Sequence, residues 1–305
     1  MNISCNFSQK FWPPSVTYLS MAYTGLMLVA GLLLNAVALW VLCCRLPRWT
    51  ETRIYMVNLA AADLWLLCAL PFVLHTLKTE TQDALFCSFS QGIYLLNRYM
   101  SISLITAIAV DRYLAVRHPL CARGLRSPRQ AVAVCALLWV LVGGSLVVRS
   151  LLGMQENRGC FFGQSSNHMV IFSLLGFYLP MPVLVFCSLQ VVTGLAQRPA
   201  ADSAQVEATQ KATRMVWANL VVFIVCFLPL HLVLTVFLAM NPPTCSQYQA
   251  IITSSIHFTS MLSNSNCCLD AICYYYMAKE FQEARVANPR VKAHKSQTSL
   301  SMTLT

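Results

Sequence analysis

Charged side chains are scarce in this sequence: Asp, Glu, Lys and Arg make up 10% of its 305 residues, while apolar types make up 57%. So little charge cannot cover a water-soluble surface, which excludes a soluble globular protein and places the chain in the membrane class. The segment Tyr18–Cys44 carries no charge over 27 residues. At about 1.5 Å of rise per residue that is enough helix to cross a hydrocarbon core about 30 Å thick. It is too long for the core of a secretory leader, and no small-residue cleavage pattern clearly follows it, so it reads as a retained first span. Internal repeats and paired broken helices are also lacking, which counts against a transporter or channel. No constellation of nucleophile, base and metal ligands supports an enzyme.

Six more apolar stretches follow, at about 53–76, 85–117, 128–151, 169–197, 208–240 and 248–276, divided by polar or proline-containing breaks such as Arg198-Pro199 and Asn241-Pro242-Pro243. Seven crossings put the termini on opposite sides. Basic residues set the orientation: Arg45, Arg48, Arg53, Arg117, Arg123, Arg126, Arg129, Arg198, Lys211, Arg214, Arg285, Arg290, Lys292 and Lys295 share one side, against mainly Lys10, Lys78 and Arg158 on the other. The C-terminus is therefore expected in the cytoplasm and the N-terminus outside. The net charge of +10 is first a topology signal, its side chains meeting anionic membrane lipid and not nucleic acid. The sequons at Asn2 and Asn6, the only two in the chain, agree with an outer N-terminus as glycosylation sites. Of 14 cysteines, Cys5, Cys87, Cys160 and Cys245 fall in outward segments, where oxidising conditions favour disulfides. Four cysteines allow three connectivities.

Asp111-Arg112-Tyr113 stands at the inner end of the third stretch, 24 residues after Cys87. A charged pair at a membrane boundary is costly unless it works on a partner. Polar or distinctive residues recur one set per span: Gly31-Leu-Leu-Leu-Asn35, Leu59-Ala-Ala-Ala-Asp63, Asp111-Arg112-Tyr113, Trp139, Phe177-Tyr-Leu-Pro180, Cys226-Phe227-Leu228-Pro229 and Asp270-Ala271-Ile272-Cys273-Tyr274. Over residues 18–284 this ordered set resembles the rhodopsin-like, or class A, G-protein-coupled receptors. The resemblance implies an all-α integral membrane fold: a seven-transmembrane bundle over 18–275 after an extracellular 1–17, then a short amphipathic eighth helix at 276–286 and a cytoplasmic, disordered tail over 287–305. It pairs Cys87 with Cys160, leaving Cys5 with Cys245. Phe227 stands for the usual tryptophan, Asp270 for asparagine, Ala271 for proline and Ser188 for tyrosine, so the family's tyrosine-to-tyrosine water bridge lacks a partner. Phe227, His231 and Asp270 are similar to the branch with nucleotide, lysolipid, hydroxycarboxylic-acid and protease-activated receptors.

Arg98 is the intramembrane residue of greatest weight. It lies 11 residues beyond Cys87, about 16 Å down the helix, and 14 before Arg112, within about 40° on the same face. Unpaired at that depth, an arginine costs about 2.5–3.5 kcal/mol on insertion scales, so an anion should meet it. An internal salt bridge or a hydrated pocket is one answer; capture of a carboxylate or phosphate by the planar guanidinium is the other. Arg149 near the pocket mouth and Arg158 beside Cys160 are further cationic candidates, although Arg149 can also snorkel to headgroups. Tyr94 lies one turn from Arg98, and Phe227, His231, Phe258 and Leu262 could complete an aromatic and aliphatic wall suited to an aromatic or amphipathic acid. Tyr94 occupies the place of the aspartate in amine receptors, and the seventh span has no lysine for retinal, so neither ligand class fits.

By resemblance, Asp63, Ser101, Asn266 and Asp270 meet mid-membrane, where two carboxylates require either a sodium ion or a shared proton; no other cofactor is expected. Ile102, Pro180 and Phe223 would transmit the signal, with helix 6 pivoting at Pro229. At the inner face Asp111, Arg112, Tyr113, Leu120 and Tyr274 would meet a heterotrimeric G protein. No acidic residue stands at the family's locking position near Thr209, so Arg112 is expected to be held by Asp111 alone, with some basal activity. Ser296, Thr298, Ser299, Ser301, Thr303 and Thr305 would be phosphorylated by receptor kinases and recruit arrestin. The reading is a plasma-membrane receptor for a small organic acid, coupled to G proteins of the inhibitory and 12/13 classes. The alternative is a receptor for a protein or peptide such as a chemokine, since the Cys5–Cys245 bridge also occurs there.

Overall fold

The computed structural model describes residues 14–45, 49–79, 84–120, 126–151, 167–197, 203–240 and 247–274. The first span is Pro14–Trp40 continued by a π-helical turn, Val41–Arg45; the second is Glu51–Thr79, the third Ala84–Arg117 and the fourth Pro128–Leu151. The fifth joins Asn167–Ser173, a π turn at Leu174–Tyr178 and Pro180–Ala196, and the sixth is Ser203–Met240. The seventh, Gln247–Asn264, breaks at Ser265 and resumes over 266–274. Six of these are long and apolar enough to cross a bilayer. The seventh is more polar because Ser255, His257, Thr259 and Ser263 punctuate it, and those that face neighbours are satisfied: Ser255 and Thr259 donate to carbonyls one turn back, and His257 meets Ser20 at 2.9 Å. Backbone groups and hydroxyls paired inside the bundle are what a hydrocarbon surround demands.

The third span packs against the second, fourth, fifth and sixth, and so lies at the centre. Accordingly 61% of its most apolar window is buried, against 11% for the fourth span at the periphery. The first span shows the two faces clearly. Leu19, Leu26, Leu33 and Trp40 recur every seven residues on the exposed side, whereas Ser20, Thr24, Met27, Gly31, Asn35, Ala38 and Leu42 turn inward. Gly31 lets the first and second spans approach closely, since a Cβ there would come within 2.6 Å of the Leu67 side chain and force it to shift.

Two irregularities shape the interior. Pro180 has no N–H and its ring crowds the preceding turn, so the fifth span widens, and Leu179 N donates to Leu174 O at 2.9 Å. The widened turn sends Phe177 into the core and leaves Gly176 against the ring of Tyr99, where any side chain would collide. At the break in the seventh span, the Tyr23 hydroxyl donates to the Met261 carbonyl, which also accepts from Ser265 N at 3.2 Å, and meets Ser265 Oγ at 2.8 Å, tying the break to the first span. The amphipathic helix expected at 276–286, the tail phosphoacceptors, Asn2, Asn6, Arg158, Cys5, Cys160 and Cys245 lie outside the described residues, as do the side chains of Lys78, Cys87, Arg149 and Thr209.

Candidate functional site

Arg98 is buried inside the bundle, near the middle of the third span. Its Nε has no hydrogen-bond partner, and no carboxylate pairs with it among the described residues. Tyr94 and Tyr99 of its own helix lie close enough to interact with it electrostatically, as does His231 of the sixth span. His231 Nδ1 donates to the Phe227 carbonyl at 2.8 Å, leaving Nε2 buried and without a partner. Its ring stacks on Phe177 at 3.9 Å and meets Tyr99 edge-on at 6.4 Å, and Tyr99 in turn stacks on Phe172 at 5.8 Å. The Tyr178 hydroxyl closes this side by donating to the His231 carbonyl at 3.3 Å and meeting Thr235 Oγ1 at 2.6 Å. A guanidinium and an imidazole nitrogen thus share an aromatic surround with hydrogen-bonding capacity left over.

The expected wall is brought together in part. Tyr94 packs toward Met27, Leu66, Leu67 and Cys267, on the side of the first, second and seventh spans. Phe227 is fully buried below His231, edge-to-face with Phe223 at 5.6 Å. Phe258 and Leu262 are not part of it. They are 44% and 37% exposed, on an outer stripe with Ile251, because the buried face of this helix runs through Ile252, Ser263 and Asn266.

Beside Arg98 on the third span, Asn97 Nδ2 donates to Asp63 Oδ1 at 2.9 Å, and in the seventh span Asn266 Nδ2 reaches Asp270 Oδ2 at 3.5 Å. Asp63 Oδ2, Ser101 Oγ, Asn266 Oδ1 and the Tyr274 hydroxyl are buried without partners among the described residues. Asn35 ties this layer to the first span, its amide donating to the carbonyls of Gly31 and Cys267 at 3.0 and 2.9 Å. Below lie Ile102 and Phe223, both fully buried, with Phe223 stacked parallel on Phe177 at 5.6 Å. That stack links the His231 surround directly to the sixth span six residues before Pro229.

At the inner end Asp111 keeps the expected ion pair with Arg112, at 3.8 Å, but does not serve it alone. Its carboxylate is gripped on both oxygens by Arg126, Nε to Oδ1 at 2.7 Å and Nη2 to Oδ2 at 3.0 Å, and also accepts from Thr52 Oγ1 at 3.2 Å. Arg126 reaches Glu51 as well, at 3.4 Å, while Arg112 Nε stays 3.8 Å from Asp111 and makes no hydrogen bond. The bidentate fork is the stronger geometry for a carboxylate, so it takes the acid. The Asp111 bond holds the Arg126 guanidinium above its usual value and firmly charged. Tyr113 turns aside to His118 Nε2 at 3.0 Å, and Leu120 projects with 81% of its surface exposed.

The sequence matches the 7 transmembrane receptor (rhodopsin family) over residues 34–274. The chain belongs to that receptor family. It is 64% identical to the human "G-protein coupled receptor 35" over 304 residues, covering 99% of this chain and 98% of that one. The human "G-protein coupled receptor 55" is 37% identical over 268 residues, 83% of each chain. The human "Lysophosphatidic acid receptor 6" is 31% identical over 302 residues, 92% of this chain and 87% of its own. This is accordingly a multi-pass membrane receptor and not an enzyme.

Several residues that shape the receptor's interior escape sequence reasoning. Tyr99, Phe172, Tyr178 and Thr235 join the Arg98 surround only through the packing of the third, fifth and sixth spans, with Tyr178 placed by the fifth span's π turn. Asn97, the donor to Asp63, and Arg126, the clamp on Asp111, depend on which helices are neighbours. Arg126 is one of several arginines in this short loop, with Arg123 and Arg129 close by, so nothing in the sequence singled it out as the partner of Asp111.

Proposed function

We propose that this receptor sits in the plasma membrane with its N-terminus outside and its C-terminal tail in the cytoplasm, binds a small organic acid, and activates heterotrimeric G proteins of the inhibitory and 12/13 classes. The observation that carries the ligand class is Arg98, a buried guanidinium with an unused donor and no carboxylate partner among the described residues. An incoming carboxylate or phosphate would supply the missing charge, and Tyr99, Phe172, Phe177 and His231 would face its aromatic or lipid body. Tyr94 would contribute from the opposite side, with Arg149 and Arg158 as further cations toward the exterior. A relative named for lysophosphatidic acid agrees with an acidic ligand. After activation, receptor kinases would phosphorylate Ser296, Thr298, Ser299, Ser301, Thr303 and Thr305, and arrestin would follow.

The test is a panel of aromatic and lipid acids, each beside its methyl ester, applied to cells expressing the receptor with sensors for the inhibitory and 12/13 classes. Acids should activate where their esters do not. Equal activation by esters would refute an anion site.

The layer around Asp63 is proposed to hold a sodium ion. Asp63 Oδ2, Ser101 Oγ and Asn266 Oδ1 are hard oxygen donors without partners, and Asp270 lies near enough to Asp63 to add a second charge. Replacing sodium by an impermeant cation should raise agonist affinity in the parent receptor, and Asp63→Asn should remove that effect because an amide cannot balance the ion's charge. Equal agonist affinities in the two media for the parent receptor would end the proposal.

A further inference from the structure

The inner end of the first span carries a feature that neither ligand binding nor G-protein coupling uses. After Trp40 the helix loosens into the π turn Val41–Arg45, in which Val41 and Leu42 stay buried while Cys43, Cys44 and Arg45 all face outward. Cys43 and Cys44 are free and exposed; the remaining exposed free cysteine among the described residues, Cys68, lies midway along the second span. The level of the pair is set by its neighbours. Trp40, half exposed, has the Arg45 guanidinium 4.6 Å above its ring, the arrangement of a tryptophan at the headgroup boundary with a cation on its aqueous side. Arg53 of the second span, stacked over Trp49 at 3.9 Å, donates to the Cys43 carbonyl at 3.3 Å and so fixes the turn against the bundle. The two thiols are thereby held at the edge of the hydrocarbon, one turn beyond the tryptophan.

Each thiol also stands at the end of a lipid-facing stripe. Cys44 continues Leu33, Val37 and Trp40, and Cys43 continues Leu32 and Ala36, all exposed. Measured along the helix, the stripe from Leu33 to Cys44 is about 16 Å long. A hydrocarbon chain attached to either sulfur would fold back along apolar side chains already in contact with lipid tails.

We propose that Cys43 and Cys44 are S-acylated by long-chain fatty acids. The cysteine sulfur attacks the carbonyl carbon of a fatty acyl-coenzyme A thioester; the new carbon–sulfur bond replaces the one to coenzyme A, which leaves with the proton the thiol gave up. No oxidant or reductant is needed. Arg45 supplies a cation beside the thiols for the phosphates of coenzyme A, and juxtamembrane cysteines are the sites at which such acylation occurs. The acyl chains add hydrophobic anchorage to a span that is only one-third buried by its neighbours. Acylation of this kind takes place on the cytoplasmic side, so the proposal rests on the orientation given above.

Acyl–PEG exchange on the full chain expressed in cells tests it. Free thiols are blocked, thioesters are cleaved with hydroxylamine, and the released thiols are tagged to produce a mass shift. The parent receptor should show a hydroxylamine-dependent shift that is lost in Cys43→Ser/Cys44→Ser and equally in Cys43→Ala/Cys44→Ala, at unchanged surface expression. No shift in the parent chain, or a shift that survives in both double variants, would overturn the proposal. After hydroxylamine treatment, an impermeant maleimide should reach Cys43 and Cys44 only in permeabilised cells. Labelling in intact cells would overturn the orientation, whereas labelling confined to permeabilised cells without an acyl shift overturns acylation alone.

Discussion

Arg98→Ala is expected to abolish the response to acidic agonists while the receptor still reaches the cell surface. Two charge-assisted hydrogen bonds to an anion are worth about 1.5–3 kcal/mol each, so their loss corresponds to about 10²–10⁴-fold in potency. The fold should tolerate the change. Arg98 has no carboxylate partner among the described residues to be stranded by its removal, and deleting an unpaired buried guanidinium relieves a cost of about 2.5–3.5 kcal/mol. An internal salt bridge at this position would behave in the opposite way, with truncation costing about 3–5 kcal/mol of stability and depleting the surface receptor. Arg98→Lys keeps the charge and loses the planar fork, so potency should fall about tenfold or more with the maximal response recoverable. Unchanged potency in Arg98→Ala at normal surface level would remove Arg98 from the site.

At the inner face, Arg112→Ala should eliminate G-protein activation and leave agonist affinity within several-fold, because Arg112 lies far from the ligand and acts only once the sixth span has moved. The more discriminating variant is Arg126→Ala. Arg126 occupies both oxygens of Asp111 and leaves Arg112 only a longer ion pair with that carboxylate, at 3.8 Å. Without it, Asp111 is left with Thr52 and Arg112, and the 3.8 Å ion pair to Arg112 can tighten into hydrogen bonds. A hydrogen bond gained at the buried Asp111 contributes about 1 kcal/mol, enough to lower basal G-protein activation about fivefold as Arg112 is withdrawn from the groove. Arg126→Lys, which preserves the charge opposite Asp111, should lower it less. Basal activity that is unchanged or raised in Arg126→Ala, normalised to surface receptor, would show that the clamp does not govern Arg112.

The fold was legible in the sequence because the signal for a membrane span is composition over length. A charge-free stretch such as Tyr18–Cys44 admits one reading, and charge between stretches marks where the chain leaves the bilayer. The polar residues that punctuate the spans were legible for the same reason: Asn35, Asp63, Arg98, Arg112 and Asp270 are too costly in hydrocarbon to be there without partners, and all but the partly exposed Arg112 are buried. The seventh span shows the limit of this logic. Its hydroxyls dilute the apolar signal, and its place depends on Ser20 and Tyr23 of the first span, residues separated from it by the whole chain.

Partner choice was not legible, and here the corrections fall. Phe258 and Leu262 have helical spacing suitable for a pocket wall, but the rotation of a helix about its axis is set by packing with its neighbours, and that packing turns Ile252, Ser263 and Asn266 inward instead. Asp111 sits beside Arg112 in sequence, yet consecutive residues on a helix diverge by about 100°, so the loop arginine with a clear bidentate approach wins the carboxylate. By itself the sequence determined the number of spans, the cost of each buried charge and hence the class of molecule. Only the tertiary structure decided which groups answer those charges, because hydrogen-bond geometry is a property of distances between helices, and neither hydropathy nor spacing along one helix contains them.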